Sequence, residues 1–321
     1  MSDKLHLLIP GAVLAPEGSG PGAPVPASAL PVPLPPNLRA LLALLAPGAT
    51  ISCEEDSPST PFELALAQAQ GLPGEAGHIP WAAFETGTVG TPCAFVRLCH
   101  WQVGADHVML SPPEDLALDQ ETAATLLAAM APYFEEDGIA LQPYGSVPGV
   151  WLATGEPLRN LRTVSLQRLA GQRLTPALLD AAGSPDATLR RLQNEMQMLL
   201  YTHPLTEERQ RRGLQPVNSF WVTGAGVLAR PVAAASEVQV EARLAAPALR
   251  RDAAAHALAW QQVDAGPCAS LLAHARQGGQ AQLTLCGDRA AQTFGPAQNG
   301  GWRRFQGAFG FLRTPDGLKQ L

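Results

Sequence analysis

Residues 194–226 read NEMQMLLYTHPLTEERQRRGLQPVNSFWVTGAG, and this stretch divides the chain. Leu189, Leu192, Met196, Leu199 and His203 recur at helical spacing, so a helix opened by Ser184-Pro185 is predicted to run to about Thr202, with His203 closing its apolar stripe. Residues 204–215 crowd Glu207, Glu208, Arg209, Arg211 and Arg212 together and read as a polar loop. A strand over 219–222 follows, closed by Gly224-Ala225-Gly226. Beyond it the pattern alternates: helix over 247–257, strand over 258–263, helix over 267–277, strand over 280–286. That alternation predicts parallel strands with helices packed on the sheet.

On the amino-terminal side the order differs. Strands are predicted at 94–103 and 107–110, about a turn at 104–106, and again at 139–144 and 149–153. Between the pairs, Asp119 caps a helix over 120–137 whose apolar face carries Leu126, Leu127, Met130 and Phe134, with Gly138 as its stop. The order β-β-α-β-β predicts an α+β unit with its helix on one face of an antiparallel sheet. Nearer the start, 5–9 (LHLLI) reads as a short buried strand. The stretch 10–36, dense in Pro, Gly, Ala and Ser, reads as a long loop. Asn37 is expected to cap a helix over 38–46 that stops at Pro47-Gly48. Thr60, Pro61 and Glu63 form a capping box for a helix to about Gln70.

The opening block resembles a signature of cofactor-independent phosphoglycerate mutases of the archaeal type, H-P-V-N-x-x-R-x-x-x-G-x-x-P-A-N followed by an apolar strand and G-x-G. His203, Pro204, Arg209, Gly213, Pro216, Asn218, Gly224 and Gly226 match it, while Thr206 and Val217 depart. Residues 93–112 (CAFVRLCHWQVGADHVMLSP) resemble the family's A-F-R-C-N strand pair, and 163–179 its P-H-D-I-x-G-K connection without the His-Asp. The whole chain is similar to the proteobacterial RpfE-type regulatory protein group. The resemblance implies an alkaline phosphatase-like α/β core, here 1–87 and 219–321, interrupted by an α+β insert at 88–218.

The same resemblance implies two divalent metals, a nucleophilic serine, and Asp and His ligands, and here the pattern breaks. After the first strand stands Ile9-Pro10-Gly11, with no aspartate. Ser57-Pro58-Ser59-Thr60-Pro61 lacks the serine's G-S-D-V-A context. Arginine occupies Arg289, where a histidine should follow Asp288, and an always-protonated guanidinium cannot ligate a cation. Asp264 is isolated, with His274 ten positions on. A two-metal displacement needs both ions on the attacking and leaving oxygens. The sequence therefore predicts no catalytic residue, no metal ligand and no cofactor.

Composition narrows the function classes. Hydrophobic residues form 46% of the 321 and charged residues 16%, as in a folded chain, with a net charge of −6. The one basic pair of the tail, Arg303-Arg304, makes no nucleic-acid footprint. No apolar run is long enough to span a bilayer. The five cysteines are odd in number and scattered, which reads as free, buried thiols and a cytoplasmic protein. There is no G-x-S-x-G elbow and no H-E-x-x-H, and Gly224-Ala225-Gly226 without a P-loop lysine is no nucleotide loop. The expected role is a non-catalytic, regulatory one: binding a small phosphorylated or carboxylate metabolite, or a regulatory protein partner. An active mutase or phosphatase with a rearranged site and a ligand-free scaffold are the alternatives. His203, Arg209 and Asn218 are the candidate ligand-binding residues. Against this, His203 also fits a helix-end core histidine, Asn218 an organiser of the Pro216 turn, and Arg209 a solvated turn.

Overall fold

The capping chemistry written into the sequence decides several element boundaries. The computed structural model describes residues 4–14, 30, 33–54, 56–103, 108–111, 113–169, 173, 174 and 187–296. Most of the 10–36 stretch, the 104–106 turn, Ser184-Pro185 and Arg303-Arg304 lie outside them. The strands are β1 (Lys4–Pro10), β2 (Ala46–Ser52), β3 (Cys93–Cys99), β4 (Trp101–Val103), β5 (Val108–Leu110), β6 (Ala140–Pro143), β7 (Val150–Thr154), β8 (Arg173–Leu174), β9 (Ser219–Gly226), β10 (Val238–Val240), β11 (Gln280–Cys286) and β12 (Ala290–Gly295). The helices are α1 (Pro36–Leu44), α2 (Pro61–Gln70), α3 (Trp81–Thr86), α4 (Gln120–Glu136), α5 (Leu166–Leu169), α6 (Ala187–Thr202), α7 (Pro204–Arg211), α8 (Ala245–Leu249), α9 (Ala253–Val263) and α10 (Ala269–Arg276). The fold is mixed α/β. None of the described helices is long and apolar enough to cross a membrane.

Contacts divide the chain into one unit of 1–55, 60–70 and 234–321 and another of 56–59 and 71–233. In the first, the sheet order is β10-β1-β11-β12-β2. β1 lies parallel to β11 along its whole length, Lys4 opposite Gln280 through Pro10 opposite Cys286, and parallel to β10. β12 and β2 run antiparallel, so the sheet is mixed where the alternation predicted parallel strands. The alternation failed at 258–263. Asp252 caps α9, its carboxylate accepting the Ala255 N–H at 2.9 Å, and three alanines then carry one helix through Val263. A six-residue stretch such as Leu-Ala-Trp-Gln-Gln-Val cannot by itself distinguish a strand from a buried helix turn. β2 went unread because Pro47 and Gly48 argue against a strand, yet β2 is the sheet edge, where proline costs no ladder bond.

Leu7 and Ile9, Leu283 and Leu285, and Phe294 point to the face covered by α1, α9 and α10. Leu8, Cys286 and Ala291 point to the other face, where α2 supplies Ala65. The predicted box opens α2: Thr60 N donates to the Glu63 carboxylate at 2.9 Å and Glu63 N to the Thr60 hydroxyl at 3.1 Å. Asn37 does not cap α1. It sits inside the first turn, and a distant carboxylate, Asp264, does the capping, accepting from Leu38 N at 2.8 Å and Asn37 N at 3.2 Å.

The second unit holds an antiparallel sheet, β6-β7-β3-β9. β9 belongs here, paired to β3 with Arg97 opposite Trp221, whereas the sequence placed 219–226 in the other segment. α4 and α6 cover one face, burying Met130, Phe134 and Met196 against Trp151 and Phe220. Asp119 caps α4 as predicted, accepting from Thr122 N at 2.7 Å. The predicted strand 94–103 breaks at His100, and β4 pairs with β5 in a separate three-stranded sheet with β8. α3 lies against β9 through a glycine: a Cβ on Gly224, at φ +63°, would stand 2.8 Å from Trp81 Cβ. The Gly-Ala-Gly run therefore admits a helix, not a phosphate.

Candidate functional site

The carboxyl ends of parallel strands are where open α/β sheets hold ligands, and the resemblance expects a metal-binding aspartate after β1. Pro10 stands in that aspartate's place, and the glycine after it, Gly11, lies at φ +68°, where a Cβ would fall 2.8 Å from the Leu244 carbonyl oxygen and 3.0 Å from Ala245 Cα and Ala248 Cβ. The backbone is already used: His256 Nε2 donates to the Gly11 carbonyl at 2.8 Å, Trp260 Nε1 to the Ala12 carbonyl at 3.2 Å. Asp264, 5% exposed, is spent on α1. Asp288 and Arg289 form the β11–β12 turn, where Gly287 N donates to Ala290 O and Cys53 N to Arg289 O. Among the described residues, no group of three or more His, Cys, Asp or Glu is placed to hold a metal. These residues do not fit the two-metal centre that the resemblance implies.

The block at 203–218 is used by the fold. His203 does not extend the α6 stripe, which runs Leu189, Leu192, Met196 and Leu200. It caps α7, its Nδ1 accepting from Leu205 N at 3.3 Å. The expected polar loop is this helix, whose proline at the first position was the sequence signal missed. Arg209 is 3% exposed, not solvated. Its guanidinium donates to the Gln215 carbonyl at 3.0 Å and to the Leu116 carbonyl. Asn218 accepts from Trp101 N at 2.7 Å and donates to Trp101 O at 2.8 Å, imitating a strand partner at the start of β4. No hydrogen bond or ion pair joins the three to one another among the described residues.

Arg209→Ala should therefore lower stability by about 2–3 kcal/mol, since two charge-assisted bonds are lost and two buried carbonyls orphaned. Chemical denaturation measures this, and anion affinity should be unchanged. Arg209→Lys should not restore stability, because an ammonium cannot span both carbonyls with a planar fork. Unchanged stability with weakened anion binding would return Arg209 to the ligand-binding role.

Among the described residues, the opposite end of the first sheet is open. A cavity of about 920 Å³ is lined at the amino ends of β1 and β11 by Lys4, His6, Gln280 and Gln282, with Thr293 on β12 and Gln68 on α2. Glu237 and Val238 complete one wall. His6 and Thr293 on its lining are joined through the fully buried Thr284 in a polar row across three strands: His6 Nε2 meets Thr284 Oγ1 at 2.8 Å, and Thr284 Oγ1 meets Thr293 Oγ1 at 2.8 Å. The row exists because α2 covers only the Leu8, Cys286, Ala291 end of that face. Burial pushes the His6 imidazole below its ordinary pKa of 6.5. Sequence reading missed this site, since its residues come from six separated segments and no spacing announces them.

No protein-family model matches the chain, and no curated protein does. Among solved structures, a cofactor-independent phosphoglycerate mutase from Thermoplasma acidophilum is 15% identical, with a TM-score of 0.34 over 92% of this chain and 91% of that one. The PH0037 protein of Pyrococcus horikoshii is 12% identical, with a TM-score of 0.39 over 95% and 90%. At such scores the likeness is loose, and it assigns this chain neither a fold nor an activity.

Proposed function

We propose that this chain is a non-catalytic, phosphoglycerate mutase-like protein of the RpfE-type regulatory kind that binds a small anionic metabolite in the cavity beside His6. One observation carries the reading: the carboxyl end of β1, where the resemblance expects metal chemistry, is filled by Leu244, Ala245 and Ala248, while the amino end of the same strand opens into a polar cavity. His6, Lys4 and the Gln280 and Gln282 amides supply donors to an anion, and Glu237 on the wall disfavours a highly charged one. His6 neutral at pH 7 takes a ligand as hydrogen-bond partner; an anion seated beside it would favour its protonated form.

The test pairs metal analysis with ligand binding. Dialysed protein should carry no stoichiometric Mn²⁺, Zn²⁺ or Mg²⁺ and show no metal-dependent turnover of 3-phosphoglycerate. A panel of phosphorylated three-carbon acids should contain at least one that raises the melting temperature of the wild type, with the shift reduced in His6→Ala. Two tightly held metal equivalents with mutase turnover would establish the catalytic alternative. No shift with any acid would leave a scaffold.

A further inference from the structure

The second unit contains an arginine that no hydrogen bond or ion pair holds among the described residues. Arg97 lies on β3 two residues after Phe95, so both project from the sheet face opposite Ala94, Val96 and Leu98. Its guanidinium carbon stands 5.6 Å over the Phe95 ring, and that ring packs against Tyr144 with centroids 4.7 Å apart. Arg97 is half-buried, yet it forms no hydrogen bond or ion pair among the described residues. The Tyr144 hydroxyl, also half-buried, forms none either. The contrast within the same unit is sharp: Arg209 is committed to two carbonyls, and Arg191 to Asp137 and Glu195.

A guanidinium presents five donors and no acceptor. Partial removal from water without partners costs free energy that a ring face offsets only in part. Burial lowers the Arg97 pKa, opposed by the charges of Glu85 and then Tyr144. Burial raises the Glu85 carboxyl, opposed by Arg97. Glu85, on α3, thus senses the guanidinium but closes no ion pair with it.

We propose that Arg97, with the Tyr144 hydroxyl as second donor, forms an anion-binding site for a compact oxyanion, a carboxylate or a phosphate, on the α3 side of the second sheet. The fork of Arg97 suits either group bidentately. The Phe95 and Tyr144 rings form an apolar wall against which a short carbon chain can lie. Glu85 acts as a competing charge that keeps the site weak and favours small anions of low charge. This site is separate from the His6 cavity: its residues all belong to the other unit, and it stands whether or not that cavity binds a metabolite.

The test is a nitrogen–proton NMR titration of the full-length protein with inorganic phosphate and, separately, with acetate at constant ionic strength. The Arg97 Nε–H resonance is identified by its absence in Arg97→Gln. It should shift saturably with at least one of the two anions, and the stronger shifter names the preferred class. Tyr144→Phe should weaken binding severalfold. Glu85→Gln should tighten it severalfold by removing the competing charge, which a purely structural Glu85–Arg97 attraction does not predict. If Arg97→Gln does not fold, the signal is assigned from the wild type and the Glu85→Gln result decides. A non-saturating shift, or an affinity unmoved by Glu85→Gln, would overturn the assignment.

Discussion

Replacing Asp264 with alanine should cost about 2–4 kcal/mol of stability. Its carboxylate accepts from Leu38 N at 2.8 Å, Asn37 N at 3.2 Å and Asn37 Nδ2 at 3.2 Å. Those two N–H groups open α1, whose own N-cap residue, Pro35, offers no side-chain bond. A local cap is worth roughly 1 kcal/mol. This one is buried, charged and tertiary, so its removal also orphans donors that water cannot easily reach. The loss should spread, because Leu38 and Leu41 of α1 and Leu271 of α10 share one core. Urea unfolding measures it, and Asp264→Asn, which keeps one acceptor, should lose about half as much. If both variants are as stable as the parent, the capping role is wrong, and a free Asp264 becomes available as a ligand after all.

Gly11→Asp is the second large effect. The substitution puts a carboxylate next to Pro10, which holds the place of the aspartate that the mutase resemblance expects, and a functional centre would tolerate it. Here it should destabilise by about 3 kcal/mol. A non-glycine residue in the left-handed region costs on the order of 1 kcal/mol, and the carbonyl of the buried Leu244, 2.8 Å from the new Cβ, must move at a further cost of about 1–3 kcal/mol. The variant should still take up no metal in elemental analysis, since Asp264 and Arg289 remain engaged elsewhere. A stable Gly11→Asp protein that binds a divalent ion would show that the carboxyl end of β1 is a metal site one mutation away from its ancestor.

The sequence was legible wherever the determinant was local. The box at Thr60 and Glu63, the cap at Asp119 and the apolar run of β1 each announce an element within a few residues, and each was read. β11 was read for the same reason. What escaped was decided by distance. Asp264 looks isolated because the helix that it caps begins 228 positions earlier, at Pro36. Arg209 looks solvated among its charged neighbours because the Leu116 carbonyl that it holds is 93 residues away. The His6 cavity is the part of a sheet face that α2 does not reach and that no other described residue fills. Arg97 sits in a segment that drew notice as a family motif, but that its guanidinium lacks a partner is a property of packing.

The pairing of β1 with β11 also has a temporal side. Lys4 and Gln280 are neighbours in the sheet, yet a ribosome adding about 5–20 residues per second needs roughly 15–55 s to make the chain between them. Through most of that interval, until Val238–Val240 is made, the strand Leu5–Ile9 has neither β10 nor β11 to pair with. The sheet of the second unit has no such wait: β3, β6, β7 and β9 all lie within 93–226. β1 is thus made well before it can be seated, and until then it offers an unprotected edge to any other chain nearby. Chaperone dependence and aggregation during synthesis should therefore concentrate in β1, while in the folded protein that strand is enclosed between β10 and β11.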